Sequence, residues 1–305
     1  MTDHDSAYAD LVDHDENDQW AFGTSFDDPL AGVDTTLAEG IDGADLAVYC
    51  LMLGDDALIS AQRLAQWNTK APEMEEEVAL ANISLDLLGQ ARLLLARAAA
   101  ADPAVVPALP AGSPVPAEDA LAFFRDESQF RNVRLVEFDN GDFAYTIVRL
   151  FAFSTHRLAL MQRLGDSGDP VLAAVAAKGT KELTYHRDYA ARWLVTLAKG
   201  TDYSRARVEE AVARVWPYVG ELFTTHPVET RLADANAAVP AQTLCAEFDS
   251  VATEVFRAAR LDLPQVKSIA GVGGRAGRDG IHSESMGYLL AEMQSVARAH
   301  PMGIW

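Results

Sequence analysis

The sequence predicts an all-α protein built as a bundle of long helices. Three observations carry this. Ala and Leu are abundant while Val, Ile and Thr form no long alternating runs, which favours helix over strand. From Asp45 onward apolar residues recur at helical spacing in long stretches, punctuated by turn and capping residues. And 49% of the 305 residues are hydrophobic, enough for a sizeable core without disulfides or metals.

The elements follow in order. Residues 1–43 lack helical periodicity and contain Gly23, Pro29, Gly32, Gly40 and Gly43, which predicts an extension apart from a domain over 44–305. A first helix is expected from about Asp45 to Trp67. Asn68–Ala71 turns into Pro72, which suits a first helical position because its missing N–H costs nothing there. Glu73, Glu75, Glu76 and Glu77 then place negative charge at the positive end of the helix dipole, and this second helix continues to about Ala100. The proline-rich segment Asp102–Pro116 is a loop. A shorter helix is expected over Glu118–Val136, and Asn140-Gly141 marks a tight turn. Asp142 can cap a helix reaching Leu164, and Asp169, with Pro170 at the first position, one reaching Lys199. Further helices are expected at about Ser204–Phe223, bent or ended by Pro217, at Gln242–Arg260 and at Ser283–Ala299. Four long helices joined by turns fit a ferritin-like bundle and other helical bundles alike.

Net charge is −20, unevenly spread. Residues 1–42 hold twelve Asp or Glu and no Lys or Arg, and the first basic side chain is Arg63. An acidic, disordered leader on a soluble body is the expectation. Binding to nucleic acid is disfavoured, because phosphates need a basic footprint. Cys50 and Cys245 are too few and too far apart for a disulfide scaffold. No signal peptide and no uncharged run of membrane-spanning length is read, so the expected location is the cytoplasm.

Two polar stripes interrupt apolar helices. Asn82, Asp86 and Gln90 recur at every fourth position of the second helix, in a stretch apolar nearly all round and so expected to be buried. Glu182, His186, Tyr189 and Trp193 share a face of the helix after Asp169. A hydrogen-bonded network and a metal or catalytic site both fit such stripes. Di-iron bundles use a Glu from each of two helices and a Glu-x-x-His from each of two more. No Glu-x-x-His occurs in this chain; the stripes read Asp86-x-x-Gly89 and Glu182-x-x-Tyr185. No metal and no catalytic residue is therefore expected here, and Asn82, Asp86, Gln90, Glu182, Tyr185 and His186 are expected to form a degenerate polar cluster. The glycine-rich run 271–280 lacks a preceding strand and a Gly-Lys-Ser/Thr, which disfavours a nucleotide loop. Arg275 and Arg278 beside a helix N-terminus remain candidates to hold an anion.

The runs Gly54–Leu64, Ala71-Pro72-Glu73, Ala79–Arg92, Phe124–Phe130, Lys181–His186 and His282–Gln294, with the terminal Trp305, resemble the PaaC family of phenylacetyl-CoA epoxidase components. The likeness runs from about Asp45 to the C-terminus. The acidic leader, Asn68–Lys70 and the long proline-rich loop depart from it. The resemblance implies a ferritin-like fold and a non-catalytic, structural subunit. It implies a homologous catalytic partner (PaaA) that holds the di-iron centre and binds phenylacetyl-CoA near the interface between the two. A small subunit, and a reductase with flavin and an iron–sulfur centre, complete the oxygenase, which epoxidises the aromatic ring in aerobic phenylacetate degradation. Arg275, Arg278 and Trp305 are the candidate contacts with a partner or with CoA. The alternatives are an autonomous ferritin-like di-metal oxidase or iron protein, and a substrate-binding module that offers Arg275 or Arg278 to the CoA phosphates.

Overall fold

The structure is a computed structural model that describes residue 30 and residues 32–269 and 271–303. Among the described residues it contains helices and turns and no extended strand. Two long antiparallel hairpins form the centre: α1 (Gly43–Ala65) with α2 (Met74–Ala101), and α4 (Phe143–Leu164) with α5 (Pro170–Lys199). The connection between them, residues 102–142, is long and carries only the short α3 (Ala117–Phe123) and three single 3-10 turns. Two hairpins joined by one long crossover is the ferritin-like arrangement. α6 (Asp202–Val219), α7 (Pro227–Ala233), α8 (Cys245–Ala259) and α9 (Glu284–Ala299) wrap this centre.

Side-chain caps fix where the long helices start. Asp42 accepts from the backbone N–H of Asp45 at 2.9 Å, Asp142 from Tyr145 at 2.8 Å and Asp169 from Leu172 at 2.9 Å. Asp169 also pairs with Arg97 at 2.6 Å, both side chains fully buried, so one carboxylate starts α5 and ties it to the end of α2.

Four expectations need correction. Pro72 lies two residues before α2 rather than at its first position. The helix expected over 118–136 stops at Phe123, because acids of α1 capture the following backbone. Asp55 accepts from the N–H of Arg131 at 2.8 Å and pairs with Arg125, and Asp56 accepts from the N–H of Val133 at 2.9 Å. Between the helices expected at Ser204–Phe223 and Gln242–Arg260, where no helix was expected, lies α7: His226 Nδ1 accepts from Val228 N–H at 3.3 Å and Glu229 bonds back to the His226 N–H, so Pro227 sits at a helix start. Finally, the leader is not wholly separate. Leu30 and Ile41 are buried in the core, and the Thr35 carbonyl accepts from Arg97 at 2.7 Å. Residues 1–29, most of the predicted extension, lie outside the described residues.

α2 is long and apolar enough to cross a membrane by length and composition, yet half of its most apolar stretch is buried inside the bundle. Leu80, Ile83, Leu87, Ala91 and Leu94 form that buried side. The other side is open: Met74, Val78, Leu85 and Leu88 are exposed, so the expectation that α2 is buried nearly all round does not hold.

Candidate functional site

Because α2 and α5 run antiparallel, their polar stripes meet rung by rung. Gln90 donates through Nε2 to Glu182 at 2.9 Å. One turn along, His186 Nε2 and Asp86 are 3.0 Å apart. Farther along, Glu76 accepts from the Trp193 indole at 2.7 Å and from the Tyr189 hydroxyl. The two helices thus carry a three-rung polar ladder, each rung contributed by both.

The ladder is graded in exposure. Gln90 and His186 are buried, while the Asp86 carboxylate is 36% exposed. Glu182 is mostly covered and has Lys178 at 3.5 Å, one turn away on its own helix. Burial lowers the His186 pKa, opposed by the bond to Asp86, so the ring favours its neutral form. With Nε2–H directed at Asp86, Nδ1 faces the bundle interior and meets no hydrogen-bond partner among the described residues. Burial raises the Tyr189 hydroxyl, and its bond to Glu76 adds to this.

Behind the ladder stands a residue that sequence reasoning missed. Arg157, in the middle of α4 and 1% exposed, donates to Gln90 Oε1 at 3.0 Å and to the Leu53 carbonyl at 3.1 Å. Burial lowers its pKa to about 10, which leaves it charged at neutral pH. Its signal in the sequence was a lone Lys or Arg in the middle of a mostly apolar stretch of α4, Leu150-Phe-Ala-Phe-Ser-Thr-His-Arg157-Leu-Ala-Leu-Met161. Glu76 was missed too, because charge in the first turn of α2 has a sufficient explanation in the helix dipole.

Two expected members of the cluster lie elsewhere. Asn82 is exposed on the open side of α2, and Tyr185 is 49% exposed on the outer flank of α5. For Tyr185 the reason is angular: three residues beyond Glu182 the helix has turned by about 300°, whereas His186, one residue later, returns to the ladder. Gly89 likewise leaves the α2–α5 contact, and a Cβ built there would meet no atom within 4 Å among the described residues.

The candidate anion-holding arginines differ from each other. Arg278 turns inward: it pairs with Asp56 at 2.7 Å and donates to the carbonyls of Met52 and Arg131, which removes it as a surface contact for CoA. Arg275 is exposed and bonds the Asp279 carbonyl at 2.9 Å. Trp305 lies outside the described residues.

In chemical terms, the ladder holds a carboxylate–imidazole pair but no nucleophile beside it. Among the described residues no group of three or more His, Cys, Asp and Glu side chains gathers as a metal-binding cluster. The residues present fit a di-iron centre poorly on their own chemistry: an amide and a buried guanidinium occupy the interior side of the ladder, and a fixed cation there opposes a second positive charge. Clefts open elsewhere. One of about 730 Å³ lies at the α1–α2 turn, lined by residues including Arg63, Trp67, Lys70, Asp139 and Tyr288. An apolar one of about 250 Å³ lies between α3 and α9, lined by residues including Phe123, Phe124 and Met293.

Residues 35–305 match the family model described as phenylacetic acid catabolic protein. The chain is similar to the C component of the 1,2-phenylacetyl-CoA epoxidase of Escherichia coli (strain K12), with 40% identity over 260 residues, which covers 85% of this chain and 99% of that relative. On the extent of both matches, the chain belongs to the phenylacetic acid catabolic protein family.

Proposed function

We propose that this chain is the non-catalytic, structural subunit of a multicomponent epoxidase acting on phenylacetyl-CoA in aerobic phenylacetate breakdown, and that it works in the cytoplasm. It pairs with a homologous catalytic subunit that holds a di-iron centre. A small subunit and a flavin- and iron–sulfur-containing reductase are the further components. The relative's printed name supports the assembly and its substrate. The observation that supports the division of labour is Arg157, whose guanidinium and its bond to Gln90 stand on the interior side of the α2–α5 ladder, where two facing helices would otherwise direct ligands at a metal. The alternative, an autonomous di-metal oxidase, requires about six protein ligands, and the ladder offers Glu76, Asp86, Glu182 and His186 at best, with Glu76 already accepting from Tyr189 and Trp193 and His186 Nε2 already bonded to Asp86.

The experiment is reconstitution of reductase, small subunit and catalytic subunit with phenylacetyl-CoA, with and without this chain, alongside metal analysis of the purified chain. The expected outcome is turnover that depends on this chain, none from the chain alone, and no stoichiometric iron after chelation. Full turnover without it, or two irons retained per chain, overturns the proposal.

A further inference from the structure

The apolar groove of about 250 Å³ between α3 and α9 holds a single carboxylate in its wall. Val115, Phe123, Phe124, Met293 and Val296 line the groove, and Asp119 stands among them. Local sequence shapes it. Pro116 ends the proline-rich loop and starts α3, which runs out at Phe123, so both phenylalanines fall at the end of that short helix. Gln294 of α9 donates to the carbonyls of Ala122 and Arg125 at 3.2 and 3.0 Å, which holds the two walls in register.

Asp119 is the feature that the fold does not account for. An acid in the first turn of a helix ordinarily takes a backbone N–H, yet this carboxyl has no hydrogen bond or ion pair among the described residues. Its neighbour Glu118 differs, with Arg92 at 3.5 Å. Burial raises the Asp119 pKa and Glu118 adds to the rise, while Arg92, farther off, opposes it. A partly buried carboxylate without a partner is costly, and a cation in the groove removes that cost.

The surroundings decide which cation. A metal ion needs several oxygen ligands, and one carboxylate in an apolar wall does not supply them. An organic cation needs only the one charge partner, with apolar and aromatic walls for its body, and phenyl rings favour a cation over an anion. The net charge of −20 acts in the same direction. At about 250 Å³ the groove lies just below the range of drug-sized sites, about 300–1,000 Å³, and suits a smaller ligand. We propose that the α3–α9 groove binds a small primary ammonium compound, its charged end paired with Asp119 and its apolar body against Phe123, Phe124 and Met293. The site shares no residue with the α2–α5 ladder and needs no partner subunit, so it is read on the chain alone.

The test is calorimetric titration of the full chain with benzylammonium. Wild type is expected to bind it with a Kd on the order of 1 mM, as suits a ligand of few atoms. Benzyl alcohol, similar in shape but uncharged, is expected to bind about tenfold more weakly. Asp119→Asn should weaken benzylammonium about tenfold and leave benzyl alcohol within about twofold, a split that a merely structural role for Asp119 does not produce. Val296→Trp, at a position 56% exposed, should block both ligands in a chain that still folds by circular dichroism. No saturable binding of benzylammonium overturns the proposal. So does equal binding of amine and alcohol that Asp119→Asn leaves unchanged. Amine binding that appears only after Ile304 and Trp305 are deleted gives the groove to the chain's own end, since Gly303 already borders it, and overturns the proposal too. A chain that binds no amine, but whose Asp119 couples through carbodiimide to a lysine of the catalytic subunit, gives the groove to a protein partner with the same result.

Discussion

The four long helices form two unlike pairs. In α1, 17 of 23 residues are buried, and in α4, 19 of 22. In α2 the number is 11 of 28, and in α5, 10 of 30. A bundle of equal helices would bury about one stripe of each. Here the outer helices and the crossover close over α1 and α4, and α2 and α5 keep a side to solvent. The polar groups differ accordingly. α1 supplies Asp55 and Asp56 to sealed ion pairs with Arg125 and Arg278, and Arg97 with Asp169 seals the end of α2 against the start of α5, whereas the middle of the α2–α5 contact reaches the surface at Asp86. The interior pair of helices carries cohesion, and the open pair presents surface.

The contrast breaks most directly at its sealed side. Asp56→Ala leaves Arg278 charged, buried and unpaired and removes the acceptor for the Val133 N–H, so a loss of about 3–5 kcal/mol in denaturant unfolding is expected. A loss below about 1 kcal/mol would show that the interior tolerates an open charge. Truncation just before Asp42 removes buried Leu30 and Ile41 and the carbonyl partner of Arg97. It should cost on the order of 3 kcal/mol, read as a lower melting temperature; an unchanged melt would make this segment a passive tail.

Titration separates two buried histidines outside the open helix pair by sign. Burial, with nearby Arg278 and Arg157, pushes the pKa of His156, in α4, down to about 3. Its contribution is therefore present above the ordinary value of 6.5 and is lost as pH falls from there towards 3, by up to about 1.4 kcal/mol per pH unit. His282 behaves oppositely. Burial lowers its pKa, but the bond to Glu137 at 2.8 Å and the Phe130 carbonyl outweigh that and raise it. Its stabilisation is complete below 6.5 and lost as pH rises through the raised value. His156→Gln should flatten the acid limb of the stability profile and His282→Gln the limb above neutrality; the reverse pattern would mean that the protonation states are misassigned.

The open side should respond least. Glu182→Ala removes a bond to a neutral amide and is expected to cost about 1–2 kcal/mol, and Asp86→Asn, partly in solvent, less than about 1. Leu85→Glu should leave folding stability within about 0.5 kcal/mol of wild type, since most of that side chain already faces solvent. If Glu182→Ala proves as costly as Asp56→Ala, the distinction between the two helix pairs disappears.

Local chemistry was legible where one residue acts on its own neighbours. Asp142 and Asp169 marked the starts of α4 and α5, and the four-residue spacing set Gln90 against Glu182 and Asp86 against His186. The short α3 was not legible, because Asp55 and Asp56 compete for its backbone from about 70 residues away. Nor were Arg157 behind the ladder and the inward turn of Arg278, since each depends on a partner from a distant element.

The sequence by itself determined that the chain is helical, where most of its long helices begin, and which polar residues share a face, because caps and periodicity are properties of neighbouring residues. Only the tertiary structure decided which apolar face was core and which was surface. The apolarity of α2 reads the same on both sides; the difference lies in whether another helix happens to cover that side. α1 covers one, while no described element covers the exposed side from Met74 to Leu88.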